Sequence, residues 1–277
     1  KSDGTETGTV VVKDIDVGVT SSNPTNLTNI NGTLFFSASD GVNGIELWKS
    51  DGTEAGTMMV KDIFAGSITS NPKLMTNVNG TLFLSANDGV NGAELWKSDG
   101  TETGTVMVKD INAGAGSSSP SHLVNVNGSL FFTANDGVNG TELWKSDGTV
   151  ASTVVVKDIN IGTNSSNPSF LANENGILFF RANDGISGTE FWKSDGTEAG
   201  TVMVKDINAG AGNSNPILFT NINGTLYFVA NNGISGSELW KSDGTEVGTV
   251  LIKDIRTGTV SSTSNEYFTN LNNTLFL

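Results

Sequence analysis

The stretch GAELWKSDGT, residues 92–101, combines an acid, an aromatic ring, a base and a second acid, and close copies of it recur along the chain. Five tryptophans mark these copies at intervals of 48 residues, at Trp48, Trp96, Trp144, Trp192 and Trp240. Lys-Ser-Asp-Gly-Thr occurs six times in this register, each copy followed by Lys-Asp-Ile, which indicates a repeat protein. We therefore interpret residues 1–277 as one repeat domain, divided at 1–48, 49–96, 97–144, 145–192, 193–240 and, as a partial repeat, 241–277.

Each repeat holds four short apolar segments separated by turn residues, and the third repeat illustrates the pattern. Its segments are HLVNVN at 122–127, SLFFTAN at 129–135, TELWK at 141–145 and, preceding them, TVMVKDI at 105–111. Such runs of Val, Phe, Leu and Thr between turn residues are typical of strands. Asn-Gly between two of the runs is a preferred two-residue hairpin turn. The repeat therefore predicts four antiparallel strands, which we label A to D, with A following the Ser/Pro-rich loop.

The strand segments also predict how the sheets pack. SLFF and TVMV are apolar at successive positions, so both faces of each sheet should be covered. Four-stranded antiparallel sheets repeating every 40–50 residues or so are typical of β-propeller blades. We predict an all-β propeller of six blades, with a β-solenoid as the alternative. Its sixth blade would combine an N-terminal D strand with C-terminal A and B strands, and would lack the Glu-Leu-Trp strand C.

The composition excludes several classes of function. The chain carries 15 Lys+Arg against 29 Asp+Glu, a formal net charge of −14, whereas binding to nucleic acid requires clustered basic residues. Arg181 and Arg256 are the two arginines, which argues against an arginine-rich clamp for phosphate. Without cysteine there are no disulfides or thiolate metal sites. No apolar run approaches the roughly 18 residues of a membrane span, so we expect no membrane insertion.

GAELWKSDGTETGT, followed by VKDI, resembles the ELWxxDGT repeat family of large bacterial secreted and surface proteins. The resemblance covers essentially the whole chain and implies the fold and a secreted or cell-surface location, but no defined activity. The chain would then be a fragment of a larger bacterial protein. Two departures are Phe191 in place of the leucine and Val-Ala-Ser at 150–152 in place of Glu-x-Gly.

The Trp-to-Thr part of the motif has two interpretations. In the structural one, the tryptophan fills the space between neighbouring blades and the aspartate closes a turn before glycine. In the functional one, a sugar stacks on an exposed indole ring beside Asp and Lys. We favour the structural role for Trp48, Trp96, Trp144, Trp192, Trp240, Asp51, Asp99, Asp147, Asp195 and Asp243.

The loop between strands B and C, NDGVNGAE in the second repeat, is the candidate ligand site. Its Asp, Asn and Glu oxygens are the hard ligands that calcium prefers, although an Asx-capped glycine turn explains the same residues. We predict ligand binding at Asp40, Asn43, Glu46, Asp88, Asn91, Glu94, Asp136, Asn139, Glu142, Asp184, Glu190 and Glu238. Calcium, if bound, would lie at Asp40, Asp88, Asp136 and Asp184, and no cofactor is required.

The loops between strands D and A differ most from repeat to repeat, as in FAGSITSNPK at 64–73, NAGAGSSSPS at 112–121, NIGTNSSNPS at 160–169 and RTGTVSSTSN at 256–265. Variable loops on a repeated frame are a common seat of binding specificity. Near-identical units offer no asymmetric catalytic set, so we do not expect an enzyme. We expect a non-catalytic extracellular adhesion module that binds a cell-surface or matrix glycan or protein. The alternative is a building block of a surface layer, sheath or fibre that self-assembles through the incomplete sixth blade.

Overall fold

The computed structural model describes residues 1–262 and 268–276, and every regular element in these ranges is a β-strand. None of these residues belongs to a helix long and apolar enough to cross a membrane. The last three residues of the predicted loop at 256–265, namely 263–265, lie outside the described residues, as does Leu277.

The described strands form five four-stranded sheets and one two-stranded sheet, each strand pairing with its neighbour in sequence. We call the four-stranded sheets blades 1 to 5. Blade 1 contains β1 (Thr25–Ile30), β2 (Thr33–Ser39), β3 (Ile45–Ser50) and β4 (Met58–Lys61), and blade 2 contains β5 (Lys73–Val78), β6 (Thr81–Asn87), β7 (Ala93–Ser98) and β8 (Val106–Lys109).

The remaining blades repeat this order. Blade 3 contains β9 (Ser121–Val126), β10 (Ser129–Asn135), β11 (Thr141–Ser146) and β12 (Val154–Lys157), and blade 4 contains β13 (Ser169–Glu174), β14 (Ile177–Asn183), β15 (Thr189–Ser194) and β16 (Val202–Lys205). Blade 5 contains β17 (Ile217–Ile222), β18 (Thr225–Asn231), β19 (Ser237–Ser242) and β20 (Val250–Lys253), and the two-stranded sheet contains β21 (Thr269–Leu271) and β22 (Thr274–Phe276).

The antiparallel meander confirms the predicted blade, and its separate sheets exclude the solenoid alternative. Between β5 and β6, Asn79 and Gly80 have φ angles of 52° and 85°, the pair of positive values that a tight hairpin turn requires. Strands β6 and β7 pair in continuous register from Leu82↔Ser98 to Asn87↔Ala93.

Both faces of the central strands are buried, as predicted. In β6 the five consecutive residues 82–86 are all buried, with exposed fractions of 1% or less. A sheet exposed to water on one side would instead alternate between buried and exposed side chains.

Contacts divide the chain into two compact units. The first contains Lys1–Leu130, Ala134–Gly137 and Ser146–Thr153, and the second contains Phe131–Thr133, Val138–Lys145 and Val154–Leu277. Each unit has a core built from two successive blades. In the first unit the core joins Ile30, Phe35, Leu47, Val60 and Ile63 of blade 1 and its D–A loop to Leu82, Leu84, Ala86 and Trp96 of blade 2.

The second unit repeats this arrangement with blades 4 and 5. Its core joins Phe179, Phe191, Val204 and Ile207 to Leu226, Phe228, Ala230 and Trp240. Phe191, the departure from the motif leucine, stacks on Phe228 with ring centroids 4.7 Å apart.

Residues 1–24 form no strand, although the sequence predicts strand D of another blade there. In each blade strand D pairs with strand C, as β4 does with β3, but these residues have no such neighbour among the described ones. Val10 N donates to the Lys1 carbonyl over 2.9 Å, and Ser39 N of β2 donates to the Ser22 carbonyl over 3.0 Å, but neither contact builds a strand. The sixth blade therefore stays a prediction.

Candidate functional site

The Asp-Gly turn after strand C is closed by its own side chains. Asp99 Oδ1 accepts hydrogen bonds from Thr101 N at 2.8 Å and from Thr101 Oγ1 at 2.7 Å. The same hydroxyl accepts a bond from Gly104 N at 2.9 Å. The bonds from the Thr101 side chain and backbone lower the pKa of Asp99. Similar turns surround Asp51, Asp147, Asp195 and Asp243.

The tryptophan of the motif lies in the core between successive blades. Trp96 is 6% exposed and belongs to the cluster that contains Leu47 of blade 1 and Ile63 of the loop that follows blade 1. Trp48, Trp144, Trp192 and Trp240 are similarly buried, with exposed fractions of 5–6%. A sugar cannot stack on a ring this deeply covered unless the blades separate.

The motif lysine links each blade to the next repeat. Its ammonium group donates a hydrogen bond of 2.8 Å to the glycine carbonyl of the next Asp-Gly turn, in the pairs Lys49–Gly100, Lys97–Gly148, Lys145–Gly196 and Lys193–Gly244. A second lysine, at the end of strand D, donates in the same way in the pairs Lys61–Thr105, Lys109–Thr153, Lys157–Thr201 and Lys205–Thr249. Both repeated lysines therefore form hydrogen bonds between one blade and the next.

The B–C loop aspartates cap their own turns. Asp88 Oδ1 accepts bonds from Val90 N and Asn91 N, and Oδ2 accepts one from Asn91 Nδ2 at 2.7 Å. Partial desolvation raises the pKa of Asp88, but these bonds outweigh it and the pKa is lowered overall. Asp40 has the same partners in Val42 and Asn43, and Asp184 accepts from Ile186 and Ser187.

The glutamate at the start of strand C is fully buried. Glu94 is 0% exposed and accepts bonds from Ile111 N at 3.0 Å, Ser118 N at 2.7 Å and Ser118 Oγ. It therefore fastens both ends of the D–A loop to strand C. Glu46, Glu142, Glu190 and Glu238 are also 0% exposed and have equivalent partners.

Burial changes the acidity of these glutamates. Desolvation raises the pKa of Glu94 despite its three hydrogen bonds, and it raises the pKa of Glu142 to about 7. The pKa values of Glu46 and Glu190 are raised for the same reason. Between about pH 4.5 and 7, Glu142 therefore holds a proton that an exposed glutamate would release.

The predicted ligand residues of one repeat thus occupy two different environments. Asp88 and Asn91 lie half-buried in the B–C loop, whereas Glu94 is enclosed beneath the D–A loop. Asp136 and Asn139 occupy the corresponding loop of the third repeat. Among residues 1–262 and 268–276, no three His, Asp or Glu side chains are grouped closely enough to hold a metal ion. Ligand and calcium binding at these positions stay predictions.

A polar pocket in the second unit contains residues that the repeat pattern does not predict. It has a volume of about 520 Å³ and is lined by Asn167, Arg181, Asn183, Thr189, Asn213 and Asn215, among others. Arg181 lies on β14 opposite Ser169, and its Nε donates a 2.9 Å hydrogen bond to Ser169 Oγ. Its Cζ lies 4.4 Å from the centroid of the Phe170 ring.

Arg181 departs from the repeat pattern, and this departure is the feature of the sequence that could have indicated the pocket. The equivalent positions carry small or apolar residues with exposed fractions of 1–3%, namely Ser37, Ser85, Thr133 and Val229. A single long cation among four such residues distinguishes blade 4 from its neighbours.

The chain matches no protein-family model, and no curated protein is similar to it in sequence. Solved structures do resemble it. The computationally designed Ika8 protein is 14% identical, with a TM-score of 0.50, over 95% of this chain and 70% of that chain. Prolyl oligopeptidase B from Galerina marginata is 11% identical, with a TM-score of 0.51, over 91% of this chain and 39% of that chain.

Identities this low concern the fold alone. The chain corresponds to less than half the length of the oligopeptidase, so the activity of that protein does not transfer to it. Taken with five four-stranded antiparallel sheets in the described residues, these likenesses establish the β-propeller fold.

Proposed function

We propose that this protein is a non-catalytic extracellular recognition module that binds a surface partner, such as a glycan, through its D–A and B–C loops. The observation that carries this proposal is the attachment of each variable D–A loop to an unvarying frame. Glu94 binds the loop at Ser118, and Ser117 Oγ accepts a 2.9 Å bond from Ala93 N. The next strand adds a bond of 3.0 Å from Asn135 N to the Ser118 carbonyl.

These bonds keep the two loop types side by side while their exposed residues differ between repeats. A pre-ordered loop loses less conformational entropy when it binds a partner. Several similar loops on one chain favour multivalent binding, in which weak single contacts combine into a useful avidity. A secreted or cell-surface location agrees with this function and rests on the resemblance to ELWxxDGT repeats.

A glycan array with the intact protein, with and without calcium, tests the proposal. We expect binding to a restricted set of glycans. A variant whose residues 64–68 (FAGSI) take the sequence of residues 112–116 (NAGAG) should keep its melting temperature but change its binding profile. No hit under either condition, or an unchanged profile in the loop variant, would contradict a role for these loops.

An uncovered face in the first unit favours a second candidate, a structural building block that assembles through strand contacts. A cavity of about 230 Å³ is lined by Val12, Ile15, Leu27, Leu34 and Phe36, among others. Leu27 is 61% exposed. Lys1 and Lys13 donate to the carbonyls of Gly52 and Thr57 as the lysines of full blades do.

This face lacks the counterpart of strand C. Between blades 1 and 2, Leu47 of strand C fills the corresponding space, and Glu46 accepts bonds from Ile63 N and Ser70 N. The equivalent donors, Ile15 N and Ser22 N, have no acceptor among the described residues. We propose that the occupant is an extended Glu-Leu-Trp segment of the same repeat, which binding of a peptide of that sequence would test.

A further inference from the structure

We propose that the pocket beside Arg181 binds the carboxylate of an acidic sugar, a site specific to blade 4. The inference deepens the proposed glycan recognition and rests on it for its biological meaning. It names the ligand class, a uronic acid or a similar carboxylated sugar.

The first argument is the charge of Arg181. Its guanidinium is the only ionisable group that lines the pocket, and its Nε bond to Ser169 is its one hydrogen bond among the described residues. The two terminal nitrogens are therefore available to a ligand. Desolvation without a neighbouring acid lowers the pKa of Arg181, which nevertheless keeps its charge at neutral pH. A carboxylate from outside would supply the missing partner.

The second argument is the preorganisation of the guanidinium. Its Nε donates to Ser169 Oγ, and its Cζ lies over the Phe170 ring, 4.4 Å from the ring centroid. A planar guanidinium matches a carboxylate through two parallel hydrogen bonds, and less rotamer entropy is lost when the side chain is already held. These contacts are what an anion-binding arginine needs, and none of them neutralises it.

The third argument is the set of amide donors around it. Asn183 Oδ1 accepts a 2.7 Å bond from Gly185 N, and Asn213 Oδ1 accepts one of 2.7 Å from Thr189 N. Each side chain therefore still has its NH₂ group, which donates to no acceptor among the described residues. Amide donors beside an arginine suit a ligand rich in oxygen atoms.

The fourth argument is size and polarity. A volume of about 520 Å³ falls within the usual range for small-ligand sites and accommodates one or two sugar rings. Asparagine, serine and threonine side chains dominate the wall, which suits hydroxyl groups better than an apolar ligand. A sugar that carries one carboxylate thus satisfies both the arginine and the amides.

Calorimetric titration of the 277-residue protein with sodium glucuronate, glucose and sodium sulfate tests the inference. We expect one glucuronate per chain, with glucose and sulfate each binding more weakly, because only the acidic sugar uses the guanidinium and the amides together. Arg181→Ser places the residue of blades 1 and 2 at this position and should weaken glucuronate binding by about tenfold or more.

Two further variants control the result. Arg181→Lys keeps the charge but loses the paired hydrogen bonds, so it should also weaken binding even if Arg181→Ser folds poorly. Arg256→Ser removes the other arginine, which is exposed, and should leave the affinity unchanged. Equal binding of glucose and glucuronate, sulfate binding as tight as glucuronate, or an unaffected Arg181→Ser variant would overturn the acidic-sugar site.

The glycan array distinguishes failure of the acidic-sugar site from failure of the proposed glycan recognition. Array hits restricted to neutral glycans, retained by Arg181→Ser, would leave surface recognition standing and overturn the site. Glucuronate binding that depends on Arg181, with no array hit, would support the site and contradict surface glycan recognition.

Discussion

At the scale of single residues, the glutamate of each Glu-Leu-Trp segment differs most from its sequence-based interpretation. An acid beside a glycine-rich loop is a reasonable candidate ligand, yet Glu94 is fully buried. Its partner Ser118 lies 24 residues away, so neither composition nor spacing indicates the contact. The Asp99 turn was predictable, because its partner is two residues away and both residue types favour such turns.

The raised pKa of Glu142 leads to a prediction about stability and pH. The folded state keeps a proton up to about pH 7, whereas the unfolded chain releases it near pH 4.5. The free energy of unfolding should therefore fall as pH rises through this window. Glu142→Gln removes the titrating group, so the fall should become shallower when urea unfolding is followed from pH 4.5 to 7.5. Glu198→Gln removes an exposed acid as the control, and an equally shallow slope there would contradict the assignment.

At the scale of elements, the blade follows from the sequence because its signals are local. Consecutive apolar residues predict burial on both faces, and Asn-Gly predicts the hairpin between strands A and B. The lysine contacts between blades join residues far apart in the sequence, so local sequence patterns could not predict them. Lys97 and Gly148 are 51 residues apart, and a strand lysine can equally bury its stem and hold its ammonium group in water.

The lysine contacts between blades should contribute measurably to stability. Lys193→Met removes the 2.8 Å bond to the Gly244 carbonyl while preserving the apolar stem. We expect the free energy of unfolding in urea to fall by about 1–2 kcal/mol, as for loss of a charged hydrogen bond.

Lys241 is the matched control, because this exposed residue donates no such bond within the described part of the chain. Lys241→Met should change the unfolding free energy by less than about 0.5 kcal/mol. Equal effects of the two substitutions would show that the contact between blades is not what stabilises the protein.

At the scale of the whole molecule, the repeats account for the fold, and the exceptions to them suggest the function. Periodicity predicts five like sheets, but it cannot predict Arg181, whose environment comes from loops around blade 4. Nor could it predict that residues 1–24 form no strand, because a D-strand sequence needs a C strand beside it.

The uncovered face beside residues 1–24 predicts strand capture. A labelled peptide with the sequence of residues 92–101 should bind the intact protein, as measured by fluorescence anisotropy. The same peptide with Glu94→Ala should bind more weakly, because Ile15 N and Ser22 N would keep no acceptor. Leu27→Asp places a charge at the cavity and should abolish binding without unfolding the protein. Identical affinities for both peptides, or a Leu27→Asp protein that binds normally, would rule out the Glu-Leu-Trp occupant.

The uniform lysine-to-glycine contacts have a consequence for how such chains change in length. In each case the lysine donates to the glycine carbonyl of the following Asp-Gly turn, at the same spacing of 51 residues. A gained or lost segment of 48 residues would therefore meet a compatible joint on either side. We therefore expect whole repeats to be gained or lost with less damage to these contacts than segments that change the spacing of lysine and glycine.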